Sequence, residues 1–441
     1  MGKLSAQIAR SISEQIAKAG WPVGEIIATE AELIRNFSVS RAVLREALGL
    51  IELHGIGTMK AGKGGGLLVT APAYEANVGE LAAFLEVSDV RIHDLIEVWQ
   101  LLEAKAVELA ILHLDEEGTD QIAAFRENFA APFGDVVEES TKFRQFWALI
   151  AKLSRNPILM TLIDAFQLSL SGLSVARLHQ PENLAHHLHQ SRGTKRAIID
   201  GILSCDSFTA LTALRQDFLN QYRAVERSQI ATMSRIATDD ARGDRKLPRW
   251  IAFKISRQIA ELGLQPGDSM GSESALLLQF GVSRSVLREA IRMLEAHSVV
   301  ETRRGKGGGL RVALPDPGPA SAAAVRFLMT LPITREHVFE IRYALEIRAA
   351  GMAAKNEAHI QAAHETHNSA ALFQAIIESS GNNVMIFVSG IIHQILSELD
   401  AQPTSDYLQD YEKIIGSICE GDAAGARRQM KFHLDRSSRH L

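Results

Sequence analysis

Cysteine is almost missing from these 441 residues: Cys205 and Cys419 are the only two, too far apart to suggest a disulfide framework. That usage fits a reducing compartment, and the expected location is the cytoplasm. No apolar run approaches the roughly 18 residues that cross a bilayer, so no membrane partner is expected. The N-terminal stretch spreads Arg10, Glu14 and Lys18 along an amphipathic pattern and lacks the apolar core of a secretory signal. A nucleophile–base set and a Gly-x4-Gly-Lys-Ser/Thr loop are also missing, so neither an enzyme nor a bound cofactor is expected. Net positive charge is lacking as well, since the formal net charge is −5, but the average hides a division. Residues 1–70 carry +2 and residues 249–314 carry +4, which leaves −11 on the remainder. Two basic heads on an acidic body suit local contact with phosphates while discouraging adhesion elsewhere.

What is present is a repeat. Ser40-Arg41-Ala42-Val43-Leu44-Arg45-Glu46-Ala47 returns as Ser283-Arg284-Ser285-Val286-Leu287-Arg288-Glu289-Ala290, and the loop Gly62-Lys63-Gly64-Gly65-Gly66 returns as Gly305-Lys306-Gly307-Gly308-Gly309. Both features are displaced by 243 positions, so the spacing between them is the same in each copy. The length suggests three or four domains at about 100–200 residues each.

Leu4, Ile8, Ile12 and Ile16 form a stripe at a spacing of four, which predicts an amphipathic helix closed by Gly20. Thr29 and Glu32 form a capping box that starts a short helix to about Phe37, and Ser40 caps the next. The helix from Arg41 to about Leu53 is expected to bury Val43, Leu44, Ala47, Leu48 and Ile51, leaving Arg41 and Arg45 together on the solvent face. Two short strands, Ile56 to Met59 and Leu67 to Val69, flank the Gly loop. Three helices and a two-stranded wing make a winged helix-turn-helix.

Arginine at the start of a helix in the major groove donates two hydrogen bonds to guanine, a contact worth about 1–3 kcal/mol of discrimination. Wing glycines let backbone amides approach phosphate. A lone Arg-x3-Arg pair is most simply a solvated helix face, and a lone Gly loop a hairpin turn. Both plain readings weaken together because pair and loop recur at one separation. The candidate DNA-contacting residues are Ser40, Arg41, Arg45, Lys60, Lys63 and Gly65 in the first head. In the second they are Ser283, Arg284, Ser285, Arg288, Arg292, Arg303, Arg304, Lys306 and Gly308. The second head has Arg292 where the first has Gly49, and Arg303, Arg304 and Lys306 where the first has Lys60, Ala61 and Lys63, so it should grip phosphate more strongly.

Val39-Ser40-Arg41, Leu44-Arg45-Glu46-Ala47-Leu48 and the glycine wing resemble the DNA-binding head of the GntR family of bacterial transcription regulators, over about 70 residues in each half. Family members commonly carry Glu-Arg-Glu-Leu in the second helix. The Arg position here is Ala31 in one copy and Ser274 in the other, which puts one usual DNA contact in doubt.

Pro72 to Val87 reads as a linker with a short helix. From Ser88 to about Arg227 the pattern is helical, with Val98, Leu101, Leu102, Ala106, Leu109 and Ala110 on one stripe. Phe143 to Ile150 followed by Ser154-Arg155-Asn156-Pro157 resembles the all-helical ligand domain, FCD, of the FadR-type branch. That resemblance implies a metal held by an Asp and a His four apart and by two later His. The corresponding positions are Phe143, Trp147, Lys195 and Asp217, which cannot hold one. Two readings stay open: a buried Lys195–Asp217 pair in place of the ion, or a filled pocket, which Trp99 favours because Arg342 stands 243 positions later. His179, His186, His187 and His189 lie beside Pro181 in what reads as an exposed polar loop.

Residues 230–248 read as a charged linker, and Leu314-Pro315-Asp316-Pro317-Gly318-Pro319 as a stiff one. The second helical domain is expected from near Thr334, and its Asn382-to-Gly421 landmarks lie closer together than in the first, so it is abbreviated. Its metal positions read Ser369, Phe373, Tyr411 and His433, again unsuited to a metal. Arg342, Tyr411 and His433 are the candidate effector residues, because a guanidinium holds a carboxylate bidentately; satisfied core polar residues are the competing reading.

The expected fold is mainly α: two winged helix-turn-helix domains, 1–71 and 249–314, and two all-helical FCD-like bundles, 88–228 and 334–441, in tandem, with a linker at 229–248. The expected function is an internally duplicated GntR regulator that binds a double-stranded DNA operator, an imperfect palindrome, and responds to a small organic acid. Constitutive DNA binding with degenerate pockets is the alternative. A monomeric pseudo-dimer and a homodimer both stay open.

Overall fold

The computed structural model describes residues 3–19, 22–53, 56–62, 64–70, 74–87, 90–130, 136–169, 181–228, 247–296, 298–303, 305, 308–313, 317–356, 369–399 and 408–438. The first head has helices α1 (Lys3–Lys18), α2 (Glu30–Phe37) and α3 (Arg41–Leu53), then strands β1 (Gly57–Lys60) and β2 (Gly66–Val69). Ile8, Ile12 and Ile16 are buried at their spacing of four, against Leu44, Ala47, Leu48 and Ile51 of α3. The Thr29–Glu32 capping box starts α2: Thr29 N donates to Glu32 Oε2 at 2.8 Å and Glu32 N to Thr29 Oγ1 at 3.3 Å.

The second head repeats this with α11 (Leu247–Leu262), α12 (Glu273–Phe280), α13 (Arg284–Ala296), β4 (Val300–Arg303) and β5 (Gly309–Val312). Even the wing register is the same, Gly57 facing Val69 and Lys60 facing Gly66 in one, Val300 facing Val312 and Arg303 facing Gly309 in the other. One strand was not expected. Ser269–Gly271, β3, pairs with β5, and the same place in the first head holds only the bridge between Ile26 and Leu68. Three residues are too few to show an alternating pattern.

Between and beyond the heads the chain is helical: α4 (Tyr74–Val87), α5 (Ile92–Leu112), α6 (Glu116–Ala130), α7 (Val136–Leu153), α8 (Pro157–Ser169), α9 (Pro181–Leu203) and α10 (Ser207–Ser228). After the second head come α14 (Gly318–Leu328), α15 (Arg335–Ala353), α16 (Ser369–Ser379), α17 (Asn383–Leu399), α18 (Leu408–Cys419) and α19 (Ala423–Ser438). The helix expected between Pro72 and Val87 is α4, which buries Leu81, Phe84 and Leu85. The stretches read as linkers at 230–248 and 314–319 both run into helix starts, α11 from Leu247 and α14 from Gly318. Proline misled that reading: Pro319 sits in the first turn of α14 and Pro248 in the first turn of α11, where a missing N–H costs nothing. His186, His187 and His189 lie on α9 and not in a loop, because Pro181 opens that helix in the same way; His179 lies outside the described residues. α18 has 12 residues where α9 has 23, which accounts for the abbreviation.

The two bundles share one apolar core. α4 packs on α14 and α5 on α15, while α5 touches α17 and α15 touches α8 in return. Two of the polar contacts at that seam are reciprocal. Asn156 Nδ2 donates to His337 O at 2.9 Å and Glu340 Oε2 at 2.7 Å, and Asn382 Nδ2 to Asp94 O and Glu97 Oε2, both at 3.2 Å. The receiving residues of the two exchanges differ by 243 positions. Each asparagine also caps a helix: Asn156 Oδ1 accepts from Ile158 and Leu159 N, Asn382 Oδ1 from Met385 N.

Asn156→Ala therefore removes a cap and the amide that crosses the seam to His337 O and Glu340. The expected loss is about 2–4 kcal/mol, read as a lowered urea midpoint. A loss under about 0.5 kcal/mol would show that the exchange does not hold the bundles together.

Candidate nucleic-acid interface

Ser40 precedes α3 and accepts from Val43 N at 3.4 Å; Ser283 accepts from Val286 N at 3.4 Å and lies 2.9 Å from Ser285 Oγ. Burying Leu44 and Ala47 in one copy, and Leu287 and Ala290 in the other, turns the arginines outward. Arg41 and Arg45 are 65% and 67% exposed, Arg284 and Arg288 67% and 58%. Within each head the structure brings the pair together at a carboxylate the sequence reading missed. Glu30, the first residue of α2, accepts from Arg41 Nε and Nη2, both at 2.9 Å, with Arg45 Nε at 3.5 Å. Glu273 accepts from Arg288 Nε at 3.0 Å and Nη2 at 3.5 Å, with Arg284 Nε at 3.5 Å. The Arg41 hydrogen bond holds the Glu30 carboxyl below its usual range. Glu30 and Glu273 also stand 243 apart, a signal available in the sequence but outside the two motifs that repeat most visibly.

The wing glycines are dictated by the turn itself. A Cβ on Gly65 would lie 2.2 Å from Lys60 O, and one on Gly308 2.3 Å from Arg303 O. Gly62 and Gly305 both have φ of +104°, which side chains rarely adopt. Lys60 and Arg303 end the strands before these turns and are exposed, Arg303 Nε donating to Glu301 Oε1 at 2.7 Å. Arg292 is exposed on α13. Lys63, Arg304 and Lys306 lie outside the described residues.

In the first bundle Lys195 Nζ lies 2.6 Å from Asp217 Oδ2, with the Phe143 and Trp147 rings at 5.3 and 5.5 Å from the ammonium. The ion-pair reading is thus realised, with two rings against the ammonium. Burial opposes ionisation of Asp217, but the adjacent Lys195 charge outweighs it, aided by hydrogen bonds from Lys195, Thr194 and Ser191, and the carboxyl stays below its ordinary range. Glu103, fully buried nearby, is pushed far the other way by burial and by the Asp217 charge, against the pull of Lys195. The Trp99 indole and Gln167 amide approach Glu103 without reaching full hydrogen-bond geometry. An ammonium in this place does not fit a transition metal.

In the second bundle Arg342 donates to Glu346 through Nε at 2.6 Å and Nη2 at 3.1 Å. Tyr411 and His433 lie ring to ring at 4.7 Å, and His433 Nδ1 is 3.4 Å from Asp410 Oδ2. Burial lowers the pKa of His433 and of His393, which stacks on Phe373, so both imidazoles are neutral at pH 7. One imidazole at the four positions does not fit a metal here either. The three candidate effector residues do converge, but the Arg342 fork is filled by Glu346.

The model for bacterial regulatory proteins of the gntR family matches residues 4–69 and again 249–309, and the FCD domain model matches residues 94–220. The Uxu operon transcriptional regulator of Escherichia coli is 28% identical over 224 residues, 43% of this chain and 85% of that protein. A putative L-lactate dehydrogenase operon regulatory protein of E. coli is 29% identical over 219 residues, 43% of this chain and 84% of that protein. The mannosyl-D-glycerate transport/metabolism system repressor of E. coli is 45% identical, but over 65 residues only, 15% of this chain and 27% of that protein.

Two predictions arise from the first bundle. Lys195→Met strands a buried carboxylate and is expected to cost about 3–5 kcal/mol, while Lys195→Met with Asp217→Leu regains most of it; a double variant as unstable as the single would refute the pairing. Glu103 has a folded pKa raised above its unfolded one, so its contribution is complete below about pH 4.3 and is lost as pH climbs through the folded value. Glu103→Gln should therefore melt higher than the parent at pH 8, with the gap closing toward pH 4.

Proposed function

We propose that this chain, with two matches to the gntR-family model and one to the FCD domain model, is a DNA-binding transcription regulator of the GntR family that works as a covalent pseudo-dimer of FadR type. A single chain supplies both heads, 1–71 and 249–314, to one two-part operator in the cytoplasm. The helical units, 88–228 and 334–441, take the place of the two subunits of a symmetric dimer, with 229–248 as the tether. The observation that carries this reading is the reciprocal asparagine exchange. An isologous interface places residue i against j and j against i, and Asn156 and Asn382 do so within one chain.

Arg41, Arg45, Arg284 and Arg288 face the bases and nearby backbone, and Lys60, Lys63, Arg303, Arg304 and Lys306 face phosphate. The second bundle is the sensor. A small carboxylate would exchange with Glu346 on the Arg342 fork, beside Tyr411 and His433, and bias the spacing of the heads. A second reading, constitutive binding, is favoured by one fact: each buried cation at these sites already has an internal carboxylate.

Light scattering of the full chain, alone and with a selected operator, tests the pseudo-dimer. One chain in solution and one per two-part operator are expected, and two chains per operator would overturn it. Thermal shift against small carboxylates, lactate included because one relative is named for an L-lactate dehydrogenase operon, separates the readings. A sensing chain gains melting temperature with one acid and Arg342→Met does not, whereas constitutive binding predicts no shift with any.

A further inference from the structure

The recognition helices of the two heads share their arginines, but those arginines are not held alike. In the first head Glu30 grips Arg41 through two hydrogen bonds of 2.9 Å and touches Arg45 through one atom at 3.5 Å. In the second the order is reversed: Glu273 takes Arg288 through Nε and Nη2 and touches Arg284 only at 3.5 Å. The firmly held arginine is therefore the first residue of α3 in one head and the fifth of α13 in the other.

A guanidinium bound through Nε and Nη2 keeps one N–H on each Nη directed away from the carboxylate. Those two hydrogens match the O6 and N7 acceptors of guanine, so the glutamate stiffens the arginine while leaving its reading edge free. Stiffening lowers the rotamer entropy that a long exposed side chain loses on binding. The carboxylate also repels phosphate, which disfavours a collapse of the same arginine onto the backbone.

The start of the preceding helix differs in the same sense. Thr29 and Glu32 exchange two hydrogen bonds around the start of α2, whereas the residue equivalent to Glu32 is Ala275, and Ser272 only accepts from Ala275 N at 3.2 Å. Glu30 is correspondingly less exposed than Glu273, 26% against 37%. The first carboxylate is set on a better-anchored helix end.

Resting on the regulator reading, we propose that Glu30 and Glu273 set DNA specificity, buttressing Arg41 in the first head and Arg288 in the second for end-on recognition of guanine. Four residues along a recognition helix is about 6 Å, so the two guanines fall one to two base pairs apart in the frame of their half-sites. Arg45 and Arg284, held at one atom, serve the phosphates or a neighbouring base. The operator is then quasi-palindromic with a built-in offset.

Binding-site selection with the full chain tests this, using the parent, Glu30→Gln, Glu273→Gln, Arg41→Ala and Arg288→Ala. Glu30→Gln and Arg41→Ala are expected to lose about tenfold or more of guanine preference at one shared base pair of one half-site. Glu273→Gln and Arg288→Ala should do so at a displaced base pair of the other, with each glutamate variant retaining or gaining affinity for random DNA. Circular dichroism checks that the exposed glutamate substitutions leave the fold intact. Parent-like preference in both glutamate variants, or losses at symmetry-equivalent base pairs, would overturn the proposal while the regulator reading survives. A parent chain that enriches no sequence would sink both.

Discussion

Each helical bundle hands one asparagine to the other, and the arrangement of the whole chain depends on that exchange. Asn156 and Asn382 are buried, and each divides its amide between two tasks: the oxygen caps its own helix and the nitrogen crosses the seam. The amides leave no spare donor at the interface, and a buried amide group without a partner costs about 1–3 kcal/mol. Cap and interface are thus coupled: a bundle that shifted along the seam would lose the start of α8 or α17 as well as the cross-contact. Arg348 Nε, 2.8 Å from Glu97 Oε1, adds a tie on one side only, so the exchange is symmetric while its surroundings have diverged.

The same scaffold positions carry different chemistry in the two pockets. Trp99 stands where Arg342 does 243 positions later, and Glu103 where Glu346 does. With no guanidinium beside it, burial pushes the Glu103 carboxyl well above its usual range, whereas Glu346 accepts both bonds of the Arg342 fork. The first bundle takes its cation from Lys195 on α9 and closes rings around it. Both solutions pair a buried cation with an internal carboxylate, as the desolvation of lone charges demands. Only the second keeps the cation in a form, planar and bidentate, that a free carboxylate can contest.

Much of this was legible in the sequence, and the gaps have physical causes. The α1 stripe, the Thr29 cap and the buried face of α3 rest on local periodicity or on residue types at fixed spacing, which survive in one dimension, whereas the Lys195–Asp217 pair was one of two readings that the family resemblance left open. β3 is too short for alternation to register. The start of α14 was read as the end of a linker because proline and small residues at a helix start resemble breakers until the helix is seen to bury Phe327. Glu30 was visible as a repeat of Glu273, but its role was not. Its meaning lies in its distance to a side chain on the next helix, 11 residues later, and no periodicity encodes that.

A covalent link makes head asymmetry useful. In a dimer of identical chains both recognition helices carry the same residues, so a substitution that retunes one half-site retunes the other and specificity drifts symmetrically. Here the heads have separated: Arg292 replaces Gly49, Ala275 replaces Glu32, and the glutamate grips a different arginine in each. Tethering makes the second docking event intramolecular, at an effective concentration set by the geometry of the shared core and not by the concentration of free chains. Under the proposed two-head reading, the head with more positive charge would hold the duplex through phosphates while the better-buttressed head discriminates, a division of labour that two identical heads cannot adopt. One chain that encodes both heads is therefore what permits them to differ, and the seam holds the bundles that carry them together.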